Sequence, residues 1–256
     1  MSAFDDVAEF VRASKRTTEM AELGALLVDA VGTFGFDHVA LVHHVDLSNV
    51  VSAARSVQFI NYPDSWRALI RARAYYRDDP VLTAVQRSVT GFLWSDLPKI
   101  VPLSARQAEI LATASACGLG EGFTVPINVP GEFLGSCSFG IATGGELPRR
   151  ALPAAQYVGC FAFEAARRIQ RLEGEVKACR GAGLPTPRLT QRQFDCVILA
   201  AQGKSDWHIA QLLGISSDTV HQHIEMAKHR FGVSSRTELV VRALFEAQIT
   251  FADVLR

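Results

Sequence analysis

The chain has 256 residues, of which 48% are hydrophobic and 20% are charged, and its formal net charge is zero. This length favours two domains, and the composition is typical of folded rather than disordered proteins. The sequence has no run of roughly eighteen apolar residues, no basic start of a signal peptide in MSAFDDVAEF, and no CxxC motif among its five cysteines. We therefore expect a cytoplasmic protein without a zinc site, a disulfide framework or a membrane contact.

Apolar periodicity and turn residues divide the first 178 residues into helices and strands. The pattern predicts helices over 20–34, 62–76, 81–88, 104–117 and 152–179, and strands over 36–45, 52–60, 122–129 and 133–142. Ser104 is predicted to cap a helix, Pro80 to lie in a first helical turn, and Pro130-Gly131 to form a hairpin turn. This order predicts an antiparallel sheet covered by helices on both faces, an α-β-α sandwich. Residues 179–188, with the stretch GAGLPTP, are the predicted linker.

Residues 189–256 predict a second domain that is all α, with four helices. Gly214 can take the positive φ that ends a helix, and Ser216 offers a capping oxygen to the next helix. In that next helix an apolar stripe recurs at helical spacing and predicts a buried face: Val220, Ile224, Ala227 and Phe231. The opposite face carries His221, Gln222, Glu225, Lys228 and His229. Two helices joined by such a short turn predict helix-turn-helix geometry, and the whole chain is therefore α+β.

The spacing of this second domain resembles the DNA-binding module of the LuxR/GerE transcription regulators. The matching residues are Leu189, Thr190, Arg192, Val197, Gly203, Lys204, Ser205, Ile209, Ala210, Leu213, Ile215, Ser216, Thr219, Val220, His223, Val233 and Arg236. The chain departs from the family at Gln193, where Glu is usual, and at Arg230-Phe231, where Lys-Leu is usual. The resemblance implies a homodimer that binds double-stranded DNA at an inverted repeat, with RNA polymerase as a further partner.

The exposed face of the predicted recognition helix separates into two kinds of DNA contact. His221, Gln222 and Glu225 are expected to enter the major groove and read bases, Glu225 by accepting from cytosine and Gln222 by reading adenine. The residues expected to contact or approach phosphates are Lys204, Ser205, Thr219, His223, Lys228, Arg230 and Arg236. The alternative for Glu225 is a plain ion pair with Lys228 or His229 on a solvated face.

The net charge of the second domain limits its affinity for DNA. From residue 186 onward the sequence has eight Lys or Arg, seven Asp or Glu and four His. Affinity for nucleic acid grows with the number of phosphates neutralised. We therefore expect modest non-specific affinity, and specific binding that depends on dimerisation.

The first domain contains a cluster of aromatic residues from residue 62 onward that is closed by the carboxylate of Asp79. Tyr62 and Trp66 are four residues apart and are predicted to share a helix face. Asp79 directly precedes Pro80. A tryptophan donates one hydrogen bond, a tyrosine donates or accepts, and an ionised aspartate only accepts. This set suits a small ligand with two carbonyl groups and one N–H, bound in an apolar pocket.

The same block resembles the autoinducer-binding domain of the LuxR family. Tyr62, Trp66, Tyr75, Asp79, Pro80 and Trp94 fall in register with its motif, and Gly122 and Ser138 match family positions. The resemblance implies an N-acyl-homoserine lactone as regulatory ligand, with no further cofactor, and a domain 1–178 that binds ligand and dimerises.

The resemblance also implies a role for each of these side chains. Trp66 would donate to the lactone carbonyl, Tyr62 to the acyl carbonyl, and Asp79 would accept from the amide N–H. Ser138 would support the amide or the acyl head, and Trp94 would pack over the lactone ring. Ile70 replaces a family aromatic, which implies an acyl cavity of different shape or one open to solvent.

Two other function classes would each require a distinct sequence pattern. A response regulator would need a phospho-accepting Asp within a repeating βα pattern, and an enzyme acting on acyl-lactones would need a metal cluster or an activated nucleophile. Neither pattern is found: GLGEG follows a helix, His43-His44 lacks ligand-spaced partners, and GSCSFG is not a nucleophile elbow. We therefore predict no enzyme activity and no catalytic residue. A regulator that senses another small molecule, or none, remains the alternative.

Overall fold

The computed structural model describes residues 3–44, 57–129, 132–177 and 188–255, with backbone only for 174–177. It divides into two compact units, the first formed mainly before Gly181 and the second mainly after it. The elements of the first unit are α1 (Ala3–Ser14), α2 (Met20–Thr33), β1 (His38–His43), β2 (Gln58–Ile60), α3 (Asp64–Ala72), α4 (Pro80–Val85), β3 (Phe92–Leu93), α5 (Leu97–Ile100), α6 (Ala105–Ala116), β4 (Leu119–Ile127), β5 (Gly135–Ala142) and α7 (Leu152–Lys177). Among the described residues no helix is both long and apolar enough to cross a membrane.

The first unit is built on a five-stranded antiparallel sheet. Its strand order is β2-β1-β5-β4-β3, so that the β4–β5 hairpin lies at the centre. Alternate residues of these strands point to one face, where they pack on α1, α2 and α7. Leu41, Val125, Cys137 and Phe139 are fully buried there. Helices α4 and α6 contact β4, which completes the predicted α-β-α sandwich.

The helix predicted over 62–76 is shorter and interrupted. Tyr62 lies before α3, because a residue that precedes proline, here Pro63, is driven to an extended conformation. Helix α3 ends at Ala72, and Ala74 then has a positive φ of 50° before a 3₁₀ turn over Tyr75–Arg77. The expectation that Tyr62 and Trp66 share a helix face is therefore wrong.

Other predicted elements are confirmed with changed bounds: most are shorter, whereas β4 begins at Leu119 and ends at Ile127. Ser104 caps α6 in a full capping box with Gln107, and Pro80 lies in the first turn of α4. Helix α1 and strand β3 were not predicted. The Pro130-Gly131 turn, most of the strand expected over 52–60, and the linker apart from Arg188 fall outside the described residues.

The second unit is a helical bundle with its own core. It consists of α8 (Gln191–Ala201), α9 (Asp206–Leu213), α10 (Ser217–Phe231), α11 (Arg236–Phe245) and a one-turn α12 (Phe251–Val254). The predicted stripe of α10 is buried throughout, and α9 ends at Gly214 with a φ of 65°. The side-chain oxygen of Ser216 accepts from the Thr219 backbone N–H, as predicted for the cap of α10. Helices α9 and α10 therefore form the helix-turn-helix.

The departure at Gln193 keeps a capping box at the start of α8. The Gln193 side-chain oxygen accepts from the Thr190 backbone N–H at 3.0 Å, and the Gln193 N–H donates to the Thr190 hydroxyl at 3.4 Å. The Gln193 side chain is almost fully buried. A neutral amide makes these bonds without burying a charge, which explains why the substitution leaves the fold intact.

We expect Gln193→Ala to destabilise the second unit, because it leaves the Thr190 N–H without its acceptor and opens space in the core. The expected loss in the free energy of unfolding is about 1–3 kcal/mol. Hydrogen exchange of the α8 amides measures it. Gln191→Ala is the matched control, since the exposed Gln191 should change stability by less than about 0.5 kcal/mol. Equal protection in both variants would contradict the capping role.

Candidate functional sites

The second face of the sheet is lined by small and hydroxyl-bearing side chains near its centre. Thr124 of β4 pairs with Ser138 of β5, and their hydroxyl oxygens lie 2.8 Å apart. The Trp94 indole N–H donates to the Thr124 hydroxyl at 2.9 Å. Trp94 also lies flat against Gly122, where an added Cβ would stand 2.6 Å from the indole ring. The sheet thus carries a hydrogen-bonded chain that begins under Trp94 and ends at Ser138.

The phenol of Tyr62 extends this chain through a hydrogen bond with Ser138. Burial raises the pKa of Tyr62 above its usual range, the Ser138 hydroxyl acts in the opposite direction through a hydrogen bond, and the charge of Asp79 raises the pKa further. Tyr62 is therefore a neutral phenol close to both Ser138 and Asp79. A neutral phenol can donate one hydrogen bond to a carbonyl oxygen.

Asp79 combines a structural bond with a perturbed acidity. Its Oδ1 accepts from the Val81 backbone N–H at 2.8 Å, which makes Asp79 the N-cap of α4. Burial raises the pKa of this carboxyl to about 6, while the bond from Val81 acts in the opposite direction. An ionised carboxylate has about four acceptor sites, so that one capping bond leaves others for a ligand N–H.

Trp66, Ile70 and Tyr75 belong to one apolar cluster, and Tyr62 and Trp94 pack against it. The rings of Trp66 and Tyr75 lie 5.8 Å apart between centroids. The Tyr75 hydroxyl donates to Glu109 at 3.1 Å and accepts from Arg73 at 2.9 Å. The bond to Glu109 ties Tyr75 to α6, and the Tyr75 ring packs against Trp66. Trp66 is itself buried.

The structure brings the residues predicted for ligand binding into one region, and adds Thr124 to them. Tyr62 interacts with both Ser138 and Asp79, and Trp94 is linked to Ser138 through Thr124. Thr124 was not predicted as a site residue, because its partners are fixed by strand register. Its position two residues after Gly122 was the available signal, since alternate residues of a strand share a face.

In the second unit the face of α10 predicted to read bases is exposed. His221, Gln222 and Glu225 all lie at the surface. The Lys228 ammonium donates to both Glu225 carboxylate oxygens, at 2.8 and 3.1 Å. This ion pair is the alternative considered for Glu225, and it leaves the Lys228 side chain only 17% exposed.

Several residues predicted to approach phosphates make contacts within the unit. Arg236 pairs with Asp206 and donates to the Lys204 carbonyl oxygen at 2.6 Å, and His221 Nδ1 lies 3.6 Å from the same Asp206. Asp206 therefore links the starts of α9 and α11 to α10. Two others are tied to the backbone or to a cap: Arg230 donates to the Arg188 carbonyl oxygen, and Ser205 caps α9.

Comparison with known proteins identifies two regions of the chain. The model for the family described as autoinducer binding domain matches residues 19–166, and that for bacterial regulatory proteins of the luxR family matches residues 187–243. The transcriptional activator protein BjaR1 of Bradyrhizobium diazoefficiens is 28% identical over 95% of this chain and 97% of its own length. VanR of Vibrio anguillarum, another transcriptional activator protein, is 28% identical over 74% of this chain and 75% of its own.

Solved structures have the same fold. The crystal structure of Escherichia coli SdiA gives a TM-score of 0.70 at 21% identity, covering 97% of this chain and 99% of that one. SdiA in complex with octanoyl-rac-glycerol gives 0.68 at 21% identity, covering 95% of each. The α+β class, with a helix-covered antiparallel sheet in the first unit and a helical bundle in the second, agrees with this fold.

We expect Thr124→Val to destabilise the first unit, because it leaves the Trp94 indole N–H and the Ser138 hydroxyl without their shared partner at nearly constant volume. The expected loss is about 1–3 kcal/mol in the free energy of unfolding, measured by denaturant titration. Thr124→Ser keeps the hydroxyl and should retain most of that stability. If the serine variant loses as much as the valine variant, packing rather than hydrogen bonding explains the effect.

Proposed function

Because the chain belongs to the luxR family of bacterial transcription regulators and has its autoinducer-binding domain, we propose that its ligand is an N-acyl-homoserine lactone and that it binds an inverted-repeat DNA site as a homodimer. RNA polymerase is the proposed further partner, and the cytoplasm the proposed location. The observation that supports this ligand best is the convergence of Tyr62, Asp79, Ser138 and the Trp94–Thr124 bond on the small-residue face of the sheet.

The polar groups of this region match the functional groups of an acyl-homoserine lactone. In the proposal the Tyr62 hydroxyl donates to the acyl carbonyl, the Trp66 indole donates to the lactone carbonyl, and Asp79 accepts from the amide N–H. Ser138 supports the acyl head, and Trp94 covers the lactone ring. The aliphatic Ile70 and the buried Tyr75 complete the apolar wall beside them.

A second ligand class is favoured by one observation on a protein of the same fold. SdiA has been crystallised in complex with octanoyl-rac-glycerol. An acylglycerol has an ester carbonyl but no amide N–H, and so it offers Asp79 no amide donor. A regulator that senses such a molecule, or none, is the alternative proposal, and Asp79 distinguishes the two.

The proposed mechanism couples ligand to DNA through stability and dimerisation. A ligand that binds only the folded receptor stabilises it by about 2.7 kcal/mol when present at a hundredfold excess over its Kd. The stabilised first unit then favours the homodimer, which presents two recognition helices to half-sites about 10 bp apart. Dimerisation compensates for the near balance of charge in each second unit.

We expect Asp79→Ala to abolish the rise in melting temperature that an acyl-homoserine lactone gives, because the amide N–H is then buried without an acceptor. Trp66→Phe, which removes one donor, should weaken the rise.

In the wild type the affinity for the lactone should increase as pH rises through about 6, since the ligand requires the ionised form of Asp79, whose pKa is raised to about 6 by burial. Calorimetry across this range measures it.

Octanoyl-glycerol is the matched ligand control for the Asp79 experiment. It shares the acyl chain but replaces the amide N–H with glycerol hydroxyls, which can rotate towards other acceptors, so that Asp79→Ala should weaken its binding less than that of the lactone. Unchanged stabilisation by the lactone in both Asp79→Ala and Trp66→Phe would contradict the assigned head-group contacts.

In the proposed DNA complex Glu225 reads a base, whereas Lys228 contacts a phosphate. Glu225 can accept from Lys228 and from the N4 amine of cytosine at once, because a carboxylate has several lone-pair sites. His221 and Gln222 are proposed to read neighbouring bases. The proposed phosphate contacts are Lys204, Ser205, Thr219, His223, Lys228, Arg230 and Arg236.

We expect Glu225→Ala to relax the preference at one base pair in each half-site, by roughly 1–3 kcal/mol. Lys228→Ala should weaken all sequences alike and flatten the salt dependence, because it removes a phosphate contact. Selection from random DNA, followed by titration at several salt concentrations, measures both. If wild type and Glu225→Ala select the same site, Glu225 serves only its ion pair with Lys228.

A further inference from the structure

A second polar pair lies on the same sheet face as the proposed head-group site. His44 Nε2 lies 2.9 Å from the Ser136 hydroxyl oxygen, within hydrogen-bond distance. Ser136 is almost fully buried. The His44 backbone N–H donates to the Leu134 carbonyl oxygen at 2.7 Å, which fixes the end of β1 against β5. Neither His44 nor Ser136 belongs to the proposed head-group contacts.

Strand register places the pair relative to the head group. Ser136 and Ser138 are two residues apart on β5, so their side chains share a face and are separated by roughly 6–7 Å along the strand. Ser138 faces Ala40 and Thr124 in the neighbouring strands, and Ser136 faces Val42 and Pro126. Residues that lie opposite one another on neighbouring strands form a row across the sheet. The Ser138 row carries the proposed head-group contacts, and the next row carries Ser136.

The direction of the ligand follows from Trp94. Trp94 covers Gly122, and its ring also approaches Gly140, on the row beyond Ser138 in the opposite direction. Trp94 itself therefore fills that end of the face, and a lactone ring beside it leaves the acyl chain no path in that direction. The acyl group leaves Ser138 towards Ser136 and His44, over Ala40 and Val42.

Among the residues that the structure describes, the His44–Ser136 pair makes one side-chain hydrogen bond and keeps further donor and acceptor positions for a ligand. Burial, together with the neighbouring His43, lowers the pKa of His44 to about 4, so that the imidazole is neutral near pH 7. A serine hydroxyl has one donor and two acceptor positions, and a neutral imidazole has one of each. The bond between them uses one donor and one acceptor. An unbranched alkyl chain would cover the remaining positions without satisfying them.

We propose that His44 and Ser136 select an acyl group that carries a hydroxyl or oxo oxygen well beyond the amide carbonyl. The inference rests on the proposed binding of an acyl-homoserine lactone and specifies its chain. An oxygen placed beside the carbonyl would lie on the Ser138 row, whereas an oxygen farther along the chain reaches Ser136. Position along the chain, rather than polarity alone, is therefore what the pair recognises.

A set of octanoyl-homoserine lactones tests the proposal, with one hydroxyl placed in turn at each carbon from the third to the last. The full chain should bind one distally hydroxylated isomer roughly tenfold more tightly than plain octanoyl-homoserine lactone. Ser136→Ala should remove that preference and keep the affinity for the plain chain. His44→Phe, which keeps a planar ring but no hydrogen-bonding nitrogen, should do the same.

Ser138→Ala is the matched control, because it removes a hydroxyl from the same strand face at the head group. It should weaken every member of the set by a similar factor. If plain octanoyl-homoserine lactone binds and no distal hydroxyl improves affinity, or if Ser136→Ala weakens all members alike, the inference is wrong and the proposed function stands. If no member of the set binds, both are wrong.

Discussion

The pairing of β4 with β5 is the constraint on which the first unit depends. Because neighbouring residues of a strand point to opposite faces, each residue of this hairpin is committed either to the core or to the other side. Cys137 and Phe139 pack on the helical layer that includes α7, while Ser138 and Thr124 face away from it. A shift of one residue would turn the hydroxyls into the apolar core and turn Cys137 and Phe139 towards the opposite face. The same register thus secures stability and positions the polar groups.

The second unit obtains its geometry from a different source. Its apolar core is supplemented by Asp206, which links the starts of α9 and α11 to α10 through Arg236 and His221. Such partly exposed pairs contribute little to stability individually, but they fix orientations. A protein whose acidic and basic groups are nearly balanced gains little from long-range attraction to DNA. Fixed side-chain direction then matters more than total charge.

Local signals in the sequence were sufficient where the determinants lie within one helical turn. The Ser104 cap, the end of α9 at Gly214 and the buried stripe of α10 are of this kind. Spacing also anticipated the Glu225–Lys228 pair as an alternative, since residues three apart on a helix are neighbours. The extended Tyr62 was predicted wrongly because its helical periodicity concealed the effect of Pro63.

The partners of the second sheet face could not be predicted in this way. Thr124 and Ser138 are fourteen residues apart, and His44 and Ser136 are ninety-two apart. Only strand register brings such residues together, and a pattern read along one strand does not reveal which residue lies opposite. The family resemblance supplied Ser138 and Trp94, but it did not supply the hydroxyl that connects them.

The separation of the two sheet faces has a consequence for how such a receptor diversifies. Substitutions at Ala40 or Ser136 alter the side that faces away from the large apolar core, so that they leave the packing of Leu41 and Phe139 unchanged. Most mutations that harm a protein do so by lowering its stability below a threshold. Substitutions on one face can therefore change the ligand that is recognised while selection maintains the packing of the other face. Related receptors can thus diverge in ligand specificity before they diverge in fold.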